Sequence, residues 1–120
     1  MPSLVSTVSN QSFCVSWMDP KEVGFCTLRK GDTPCIGFWA EPDYEQFTHV
    51  IIAAVCLAAK SYFNPSQRIY VDADASDGLW DSLGFHANPH YDFTEEQRNW
   101  EGAGYEKYIL FSDLCTKMGV

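Results

Sequence analysis

Residues 41–55 of the 120-residue chain, EPDYEQFTHVIIAAV, have the pattern of a strand end that runs into a helix. Backbone amides at the N-terminus of a helix can bind a phosphate, so a nucleotide-like cofactor could be held here. Loops that bind phosphate in this way use glycine to bring the backbone close, and this stretch has none. Glu45 stabilises the first helical turn by about 0.3–1 kcal/mol. The same carboxylate about 4 Å from a phosphate would cost about 4 kcal/mol at a surface-like dielectric constant.

Two other stretches carry metal-ligand residue types at spacings that do not fit a metal site. DADASDG has aspartates at alternate positions like a calcium loop, but its glycine comes one place late. Leu83 also stands where a calcium loop needs a bidentate glutamate. In HANPHYD, His86 and His90 are four residues apart, but Pro89 breaks the helix that would bring them together. We therefore predict no metal site.

The cysteines argue against a zinc knuckle and against a complete disulfide framework, because their number is odd and no Cys-x-x-Cys occurs. They are Cys14, Cys26, Cys35, Cys56 and Cys115. We expect reduced thiols in an intracellular, cytoplasmic protein. No local signature of a nucleophile surrounds Cys35, so we interpret Cys35 and Cys56 as small buried hydrophobic residues.

Composition limits the partners. A chain of 120 residues with 46 % hydrophobic and 15 % aromatic residues suits one globular domain. The formal net charge of −8 argues against direct binding to nucleic acid. The N-terminus has no signal-peptide pattern, and the longest apolar stretch, residues 50–59, is too short to span a bilayer, so we expect no membrane partner.

The residue pattern predicts an order of β-β-β-α-β-α-β-β. Strands are predicted at SFCVSWM, VGFCTLR, PCIGFWA, RIYVDAD, within FHANPHYDF and at YEKYILF, and KGD is a hairpin turn. Apolar spacing predicts a helix over Tyr44–Tyr62 that is buried on most faces. SDGLWDSLG predicts a short second helix that Gly84 ends. We expect an α+β (mixed α/β) fold, with a mostly antiparallel sheet and the long helix at its centre.

The motif LWDSLGF, followed by the late strand YEKYILF, resembles the second half of the GCN5-related N-acetyltransferase (GNAT) family. In that family a helix reading roughly L-Y-x-x-x-G-F follows the fifth strand. WAEPDYEQFTHVIIAAV aligns with the family's junction between strand four and helix three. The resemblance covers about residues 34–112 and implies a single, small GNAT-like domain over residues 1–120. It also implies that PCIGFWA and RIYVD are parallel neighbours joined by the long helix.

The resemblance implies an acetyl-CoA site at the junction, where main-chain amides would hold the pyrophosphate. The family opens this motif with Arg or Gln and then uses two glycines. Here Glu45, Thr48 and Val50 occupy those positions, and Gln46 matches the opening only after a one-residue shift. We therefore expect acetyl-CoA to bind weakly or not at all. If the chain is active, the cofactor-binding candidates are Trp39, Ala40, Glu45, Gln46, Phe47, Thr48 and His49.

The catalytic positions implied by the family are also changed. Trp80 replaces the tyrosine that often protonates the leaving thiolate, and an indole N–H is too weak an acid for that role. Tyr70 or Tyr91 would have to replace it in an active enzyme. Glu41 is a candidate general base by its position near strand four, and so is Asp32.

Exposed charge predicts a protein partner with a basic surface. Asp77 and Asp81 are four residues apart on the short helix and repel each other, which suits solvent or a basic partner. Trp100 lies among carboxylates in TEEQRNWEGAG, a composition typical of interfaces. The predicted partner-binding residues are Asp77, Asp81, Glu95, Glu96 and Trp100, within an acidic surface that also includes Asp72, Asp74 and Glu101.

Three functions follow as hypotheses. The first is an acetyltransferase-like fold with a degenerate acetyl-CoA motif that serves as a non-catalytic protein-binding or structural module. Small degenerate relatives of the family occur in phage particles and among phage-encoded inhibitors, so this resemblance also implies a phage or viral source, in the host cytoplasm or the virion. The second is a working acetyl-CoA-dependent N-acetyltransferase acting on a protein or a small amine. The third, based on net charge alone, is an acidic mimic of nucleic acid.

Overall fold

A computed structural model describes residues 2–71, 78–87 and 107–120. These residues form an α+β fold with one mostly antiparallel, seven-stranded sheet of order β1-β2-β3-β4-β5-β7-β6, which confirms the predicted class. The strands are β1 Ser3–Val8, β2 Ser12–Met18, β3 Glu22–Arg29, β4 Cys35–Ala40, β5 Arg68–Val71, β6 His86–Ala87 and β7 Lys107–Leu110. The helices are a 3-10 helix Pro42–Phe47, α1 Thr48–Ala59, α2 Leu79–Ser82 and α3 Phe111–Met118.

Strands β1 to β4 form an antiparallel meander, and the chain then crosses to a parallel neighbour. Cys35 pairs with Tyr70 and Ile36 with Val71 in the parallel β4–β5 pair. Strand β7 pairs antiparallel with β5 and with β6. The predicted parallel pairing of PCIGFWA and RIYVD, with the long helix between them in sequence, is therefore confirmed.

The core lies between the sheet and helix α1. Ile51, Ile52 and Val55 of α1 have no exposed surface, and the helix contacts β2 and β3. Val15 and Cys26, which pair across β2 and β3, are buried in the same cluster. The buried face of the meander is thus the face that α1 covers.

The predicted helix Tyr44–Tyr62 is wrong at both ends, and one of its faces is exposed. A 3-10 helix precedes α1, and α1 itself ends at Ala59. Val50 and Leu57 are 45 % and 60 % exposed, so α1 has one apolar face turned to solvent. The sequence does not show this exposed face, because apolar residues occur on the exposed side of α1, as Val50 and Leu57 do, as well as on the buried side.

Two elements were not predicted. Strand β1 has exposed residues on both faces, so it lacks the alternation that marks a half-buried strand. The closing strand YEKYILF is wrong beyond Leu110, because Phe111 begins α3. The spacing of Phe111, Leu114, Cys115 and Met118, all buried, is helical and would have predicted α3.

The predicted turns are confirmed where glycine has a positive φ. Gly31 has φ 119° in the turn between β3 and β4, and Gly84 has φ 96° just after α2. Over the described residues, no helix has both the length and the apolar character needed to cross a bilayer.

Two alanine substitutions in α1 should separate its buried face from its exposed face. Ile51→Ala should lower the free energy of unfolding by about 2–5 kcal/mol, because it opens a cavity in the core. Leu57→Ala should change it by less than about 0.5 kcal/mol, because that side chain is mostly in water. Urea unfolding followed by circular dichroism measures both, and similar losses in the two variants would contradict this packing.

Candidate functional site

A cleft of about 330 Å³ lies where the end of β4 meets the helix junction and α2. The residues that line it come from all three elements: Phe38, Trp39, Ala40, Glu45, Thr48 and Leu79. The cleft is at the strand-to-helix junction that the sequence marks as its candidate anion site.

Main-chain and side-chain contacts fix the junction against β2 and β3. The Glu41 N–H donates to the Val23 carbonyl at 2.8 Å, which ties the end of β4 to β3. The Tyr44 hydroxyl donates to Asp19 Oδ2 at 3.0 Å, and this hydrogen bond is the main reason why the pKa of Tyr44 is raised. The Phe47 ring stacks on Trp17 at a centroid distance of 4.5 Å. The start of the helix is therefore held in place by three separate contacts.

The hydrogen bonds of the 3-10 helix use the amides that an anion would need. In a 3-10 helix each N–H donates to the carbonyl three residues earlier. The Tyr44 N–H donates to the Glu41 carbonyl, and the Thr48 N–H donates to the Glu45 carbonyl. The 3-10 helix runs directly into α1, so the N-terminus of α1 has internal acceptors for its amides. Pro42, at the start of the 3-10 helix, has no N–H to offer.

The cleft combines apolar walls with one carboxylate. Phe38 and Leu79 are half-buried and pack against the core. Glu45 is exposed, and the Thr48 hydroxyl already donates to the Glu45 main-chain carbonyl at 2.6 Å. A group with an aliphatic stem and a positive end suits such a cleft, because the stem can contact apolar surface while the charge meets the carboxylate.

The structure brings together four of the cofactor-binding candidates: Trp39, Ala40, Glu45 and Thr48. Gln46 and His49 are exposed and do not line the cleft. Phe47 also does not line it, because its ring stacks on Trp17. Two lining residues were missed by sequence reasoning, Phe38 and Leu79. The alternation in β4 could have found Phe38, since it shares a face with Ala40.

The catalytic candidates that the structure describes do not line the cleft. Glu41 forms an ion pair with Lys21, with 3.7 Å between Oε1 and Nζ. Tyr70 lies on β5 between buried Ile69 and Val71, so its ring is on the opposite face of the sheet from the core. There the ring centroid is 6.1 Å from that of Tyr108.

Two further residues from the predicted sites have clear positions. Trp80, at the family's tyrosine position, is 4 % exposed and contacts Phe85 edge-to-face. Asp81 accepts a hydrogen bond from Lys107 Nζ at 2.8 Å, so its charge is paired. The other predicted residues lie outside the described ranges: Tyr91 among the catalytic candidates, and Asp72, Asp74, Asp77, Glu95, Glu96, Trp100 and Glu101 of the acidic surface.

The five cysteines all lie within the described residues, and no disulfide joins any two of them. Burial raises the pKa of Cys26 well above 9.0, and burial beside Cys115 raises the pKa of Cys56 from 9.0 to about 12. Such thiols stay protonated at neutral pH, so they are poor nucleophiles. Cys35 is buried too, and its Sγ accepts a hydrogen bond from Arg29 Nη2 at 3.3 Å.

Within residues 2–71, 78–87 and 107–120, no group of three His, Cys, Asp or Glu side chains could hold a metal ion.

No protein-family model matches the chain, and no curated protein matches it significantly.

The buried thiols predict a loss of stability at alkaline pH. Unfolded thiols ionise near pH 9.0, whereas Cys56 keeps its proton in the folded state until about pH 12. The contribution of Cys56 to the free energy of unfolding is therefore fully present below pH 9.0 and is lost as the pH rises from 9.0 to about 12. Between about pH 7 and about pH 10, Cys56 alone should account for about 1.4 kcal/mol of that loss.

Urea unfolding at both pH values measures this effect. Cys56→Ala should reduce the pH-dependent loss, whatever its own stability at neutral pH. Val55→Ala is the matched control, since it removes a buried group from the same helix without removing an ionisable one. Equal pH dependence in the wild type and Cys56→Ala would show that this thiol does not control alkaline unfolding.

Proposed function

We propose that this chain is a non-catalytic protein-binding module with an acetyltransferase-like fold. We further propose that its cleft receives a basic side chain of a partner protein. The observation that carries the proposal is the 3-10 helix Pro42–Phe47, which leads directly into α1 while Glu45 lines the cleft. The parallel β4–β5 pair and the cleft at the strand-to-helix junction support the likeness to the acetyltransferase fold.

The hydrogen bonds at the junction argue against a bound pyrophosphate. Free amides and a positive helix end are what make a helix N-terminus an anion site. Here the Thr48 amide already donates to a carbonyl of the preceding turn. Asp43 and Glu45 add negative charge in the first turn of the 3-10 helix. An anion at this junction would therefore find the Thr48 N–H already bonded and would be repelled by the nearby carboxylates.

The positions of Trp80, which replaces the family's acid, and of the acid candidate Tyr70 support the absence of catalysis. The indole of Trp80 is in the core, and Tyr70 is on the face of the sheet opposite the core. Neither side chain is among the residues that line the cleft.

The cleft has the chemistry of a lysine or arginine pocket. Phe38 and Leu79 provide apolar surface for a methylene stem, and Glu45 provides the opposite charge. Trp39 is also among the lining residues, but it pairs with Phe25 and Phe38 pairs with Cys26, so the Trp39 ring is on the face of the sheet opposite Phe38, with its centroid 5.8 Å from that of Phe25. No disulfide joins any two of the five cysteines, all of which the structure describes, and this supports a reducing compartment such as the cytoplasm.

Acetyl-CoA should bind with a dissociation constant in the millimolar range or above. Isothermal titration calorimetry with acetyl-CoA and with CoA tests this. Glu45→Gln should improve binding by less than about tenfold, because removing one exposed charge leaves the amides bonded within the helix. Micromolar binding by the wild type would overturn the proposal and favour a working N-acetyltransferase, with Glu41 and Tyr70 as the first residues to substitute.

A lysine-containing peptide should perturb the cleft. In a titration followed by backbone NMR, amide shifts should concentrate at Phe38, Ala40, Thr48 and Leu79, and a peptide with norleucine in place of lysine should not cause them. Binding should weaken between about 50 and about 500 mM salt, because exposed charge pairs are screened.

Two substitutions of neighbouring acids provide the control for that titration. Glu45→Gln should abolish the shifts, whereas Asp43→Asn should preserve most of them, since Asp43 does not line the cleft. Shifts that persist in Glu45→Gln, or that appear equally with norleucine, would show that the cleft does not recognise a basic side chain.

A further inference from the structure

Strand β1 is the end strand of the sheet and is exposed along its whole length. All residues of Ser3–Val8 are exposed, with Leu4, Val5 and Val8 at 41 %, 46 % and 57 %. Strand β2 pairs with one edge of β1, and in the described part of the chain no strand pairs with the other. Natural proteins usually protect such an edge with charges, proline or a bulge. Residues 3–8 contain neither a charge nor a proline, and their pairing with β2 has no bulge.

The hydrogen bonds of the hairpin show which main-chain groups point outward from β1. The Ser9 N–H donates to the Ser12 carbonyl at 2.9 Å, so residues 9 and 12 are a hydrogen-bonded pair. Hydrogen-bonded and non-bonded pairs alternate along an antiparallel ladder. Leu4, Ser6 and Val8 are therefore in non-bonded pairs with β2, and their N–H and C=O groups point to the open edge.

The next hairpin agrees with this assignment. The Lys30 N–H donates to the Gln11 carbonyl at 2.8 Å, which makes residues 11 and 30 a hydrogen-bonded pair. By the same alternation, Phe13, Val15 and Trp17 are bonded to β3. Those residues stand opposite Val8, Ser6 and Leu4 and so do not bond to β1.

The open edge is complementary to itself. If two copies of β1 pair antiparallel about Ser6, Ser6 of one copy is opposite Ser6 of the other. Leu4 of each copy is then opposite Val8 of the other, which gives three pairs in total. In each pair the two residues exchange both main-chain hydrogen bonds. Leu4 and Val8 are on the same face as Trp17 and Phe13, so the apolar surface of each copy would continue into the other.

We propose that two copies of this chain associate by antiparallel pairing of their β1 strands, centred on Ser6. The symmetric register favours a second copy over an unrelated strand, because one two-fold axis satisfies every outward group of residues 4–8. The absence of charge also favours it, since each chain has a formal net charge of −8 and an uncharged edge joins the copies with least repulsion. The two α1 helices lie on the same face of the combined sheet.

The dimer is weak because the interface is small. Stable interfaces bury about 1,200–2,000 Å² in total, and one short strand from each copy buries less. We expect micromolar or weaker self-association. Sedimentation velocity between about 10 and about 500 µM should therefore show a weight-average coefficient that rises from the monomer value towards the dimer value.

Charge substitutions at Ser6 test the register directly. Ser6→Lys and Ser6→Glu place like charges opposite each other at the two-fold axis, and each should weaken self-association at least about tenfold. An equimolar mixture of the two variants should associate again, because lysine then faces glutamate. Circular dichroism should show that both variants stay folded, since the outward groups of Ser6 are not part of the β1–β2 ladder.

Three results would overturn the proposal. A wild-type chain that is monomeric at all concentrations would show that β1 does not pair with a second copy, and a strand of another protein would then be the alternative partner. Self-association that tolerates both Ser6 substitutions would belong to another surface. Failure of the mixture to associate when each variant is folded would show that the two Ser6 residues do not face each other.

Discussion

The absence of a side chain at Gly24 allows helix α1 to lie as close to the sheet as it does. A Cβ at this position would be 3.3 Å from Ile51 Cδ1, from Ala40 Cβ and from the Trp39 carbonyl oxygen. This one position on β3 therefore contacts both the helix and the end of β4. The depth at which α1 packs sets how far its N-terminus stands from Ala40, and the cleft lies in the space between them. A Cβ here would require these neighbours to shift by a few tenths of an ångström.

Hydrogen bonding at the start of the helix distinguishes a helix N-terminus with free N–H groups from one whose N–H groups are bonded internally, although the two have similar sequences. A helix N-terminus after a strand can bind an anion only if its first amides are free. In this chain Pro42 has no N–H, and the N–H groups of Tyr44 and Thr48 donate to carbonyls of the preceding 3-10 turns. The aromatic stack of Phe47 on Trp17 holds this arrangement in place, although Trp17 Nε1 is buried with no partner among the described atoms. The cleft at this junction is lined by apolar residues and one carboxylate.

Patterns of alternation and turn chemistry were enough to predict much of the fold. SFCVSWM alternates and forms β2 as predicted, because one face of it is buried under α1. The exposed edge strand β1 could not be found in that way, since a strand without a buried face has no apolar period. In the site, residues of the junction line a cleft, whereas Tyr70 is not among its lining residues, and its buried neighbours Ile69 and Val71 already indicate that it points away from the core. The distinction between a 3-10 and an α-helical start depends on single hydrogen bonds, which residue types do not determine.

The parallel pairing of β4 with β5 also bears on the order in which the chain folds. Strands β1 to β4 occupy consecutive residues 3–40 and pair only with their sequence neighbours, so this part needs only short loops to close. Strand β5 must pair with β4 across the whole segment that contains α1, because that helix lies between Cys35 and Tyr70 in the sequence. Long-range closure is slower than local pairing. During synthesis, the N-terminal meander therefore leaves the ribosome as a unit that can pair early, and its apolar face stays uncovered until α1 follows.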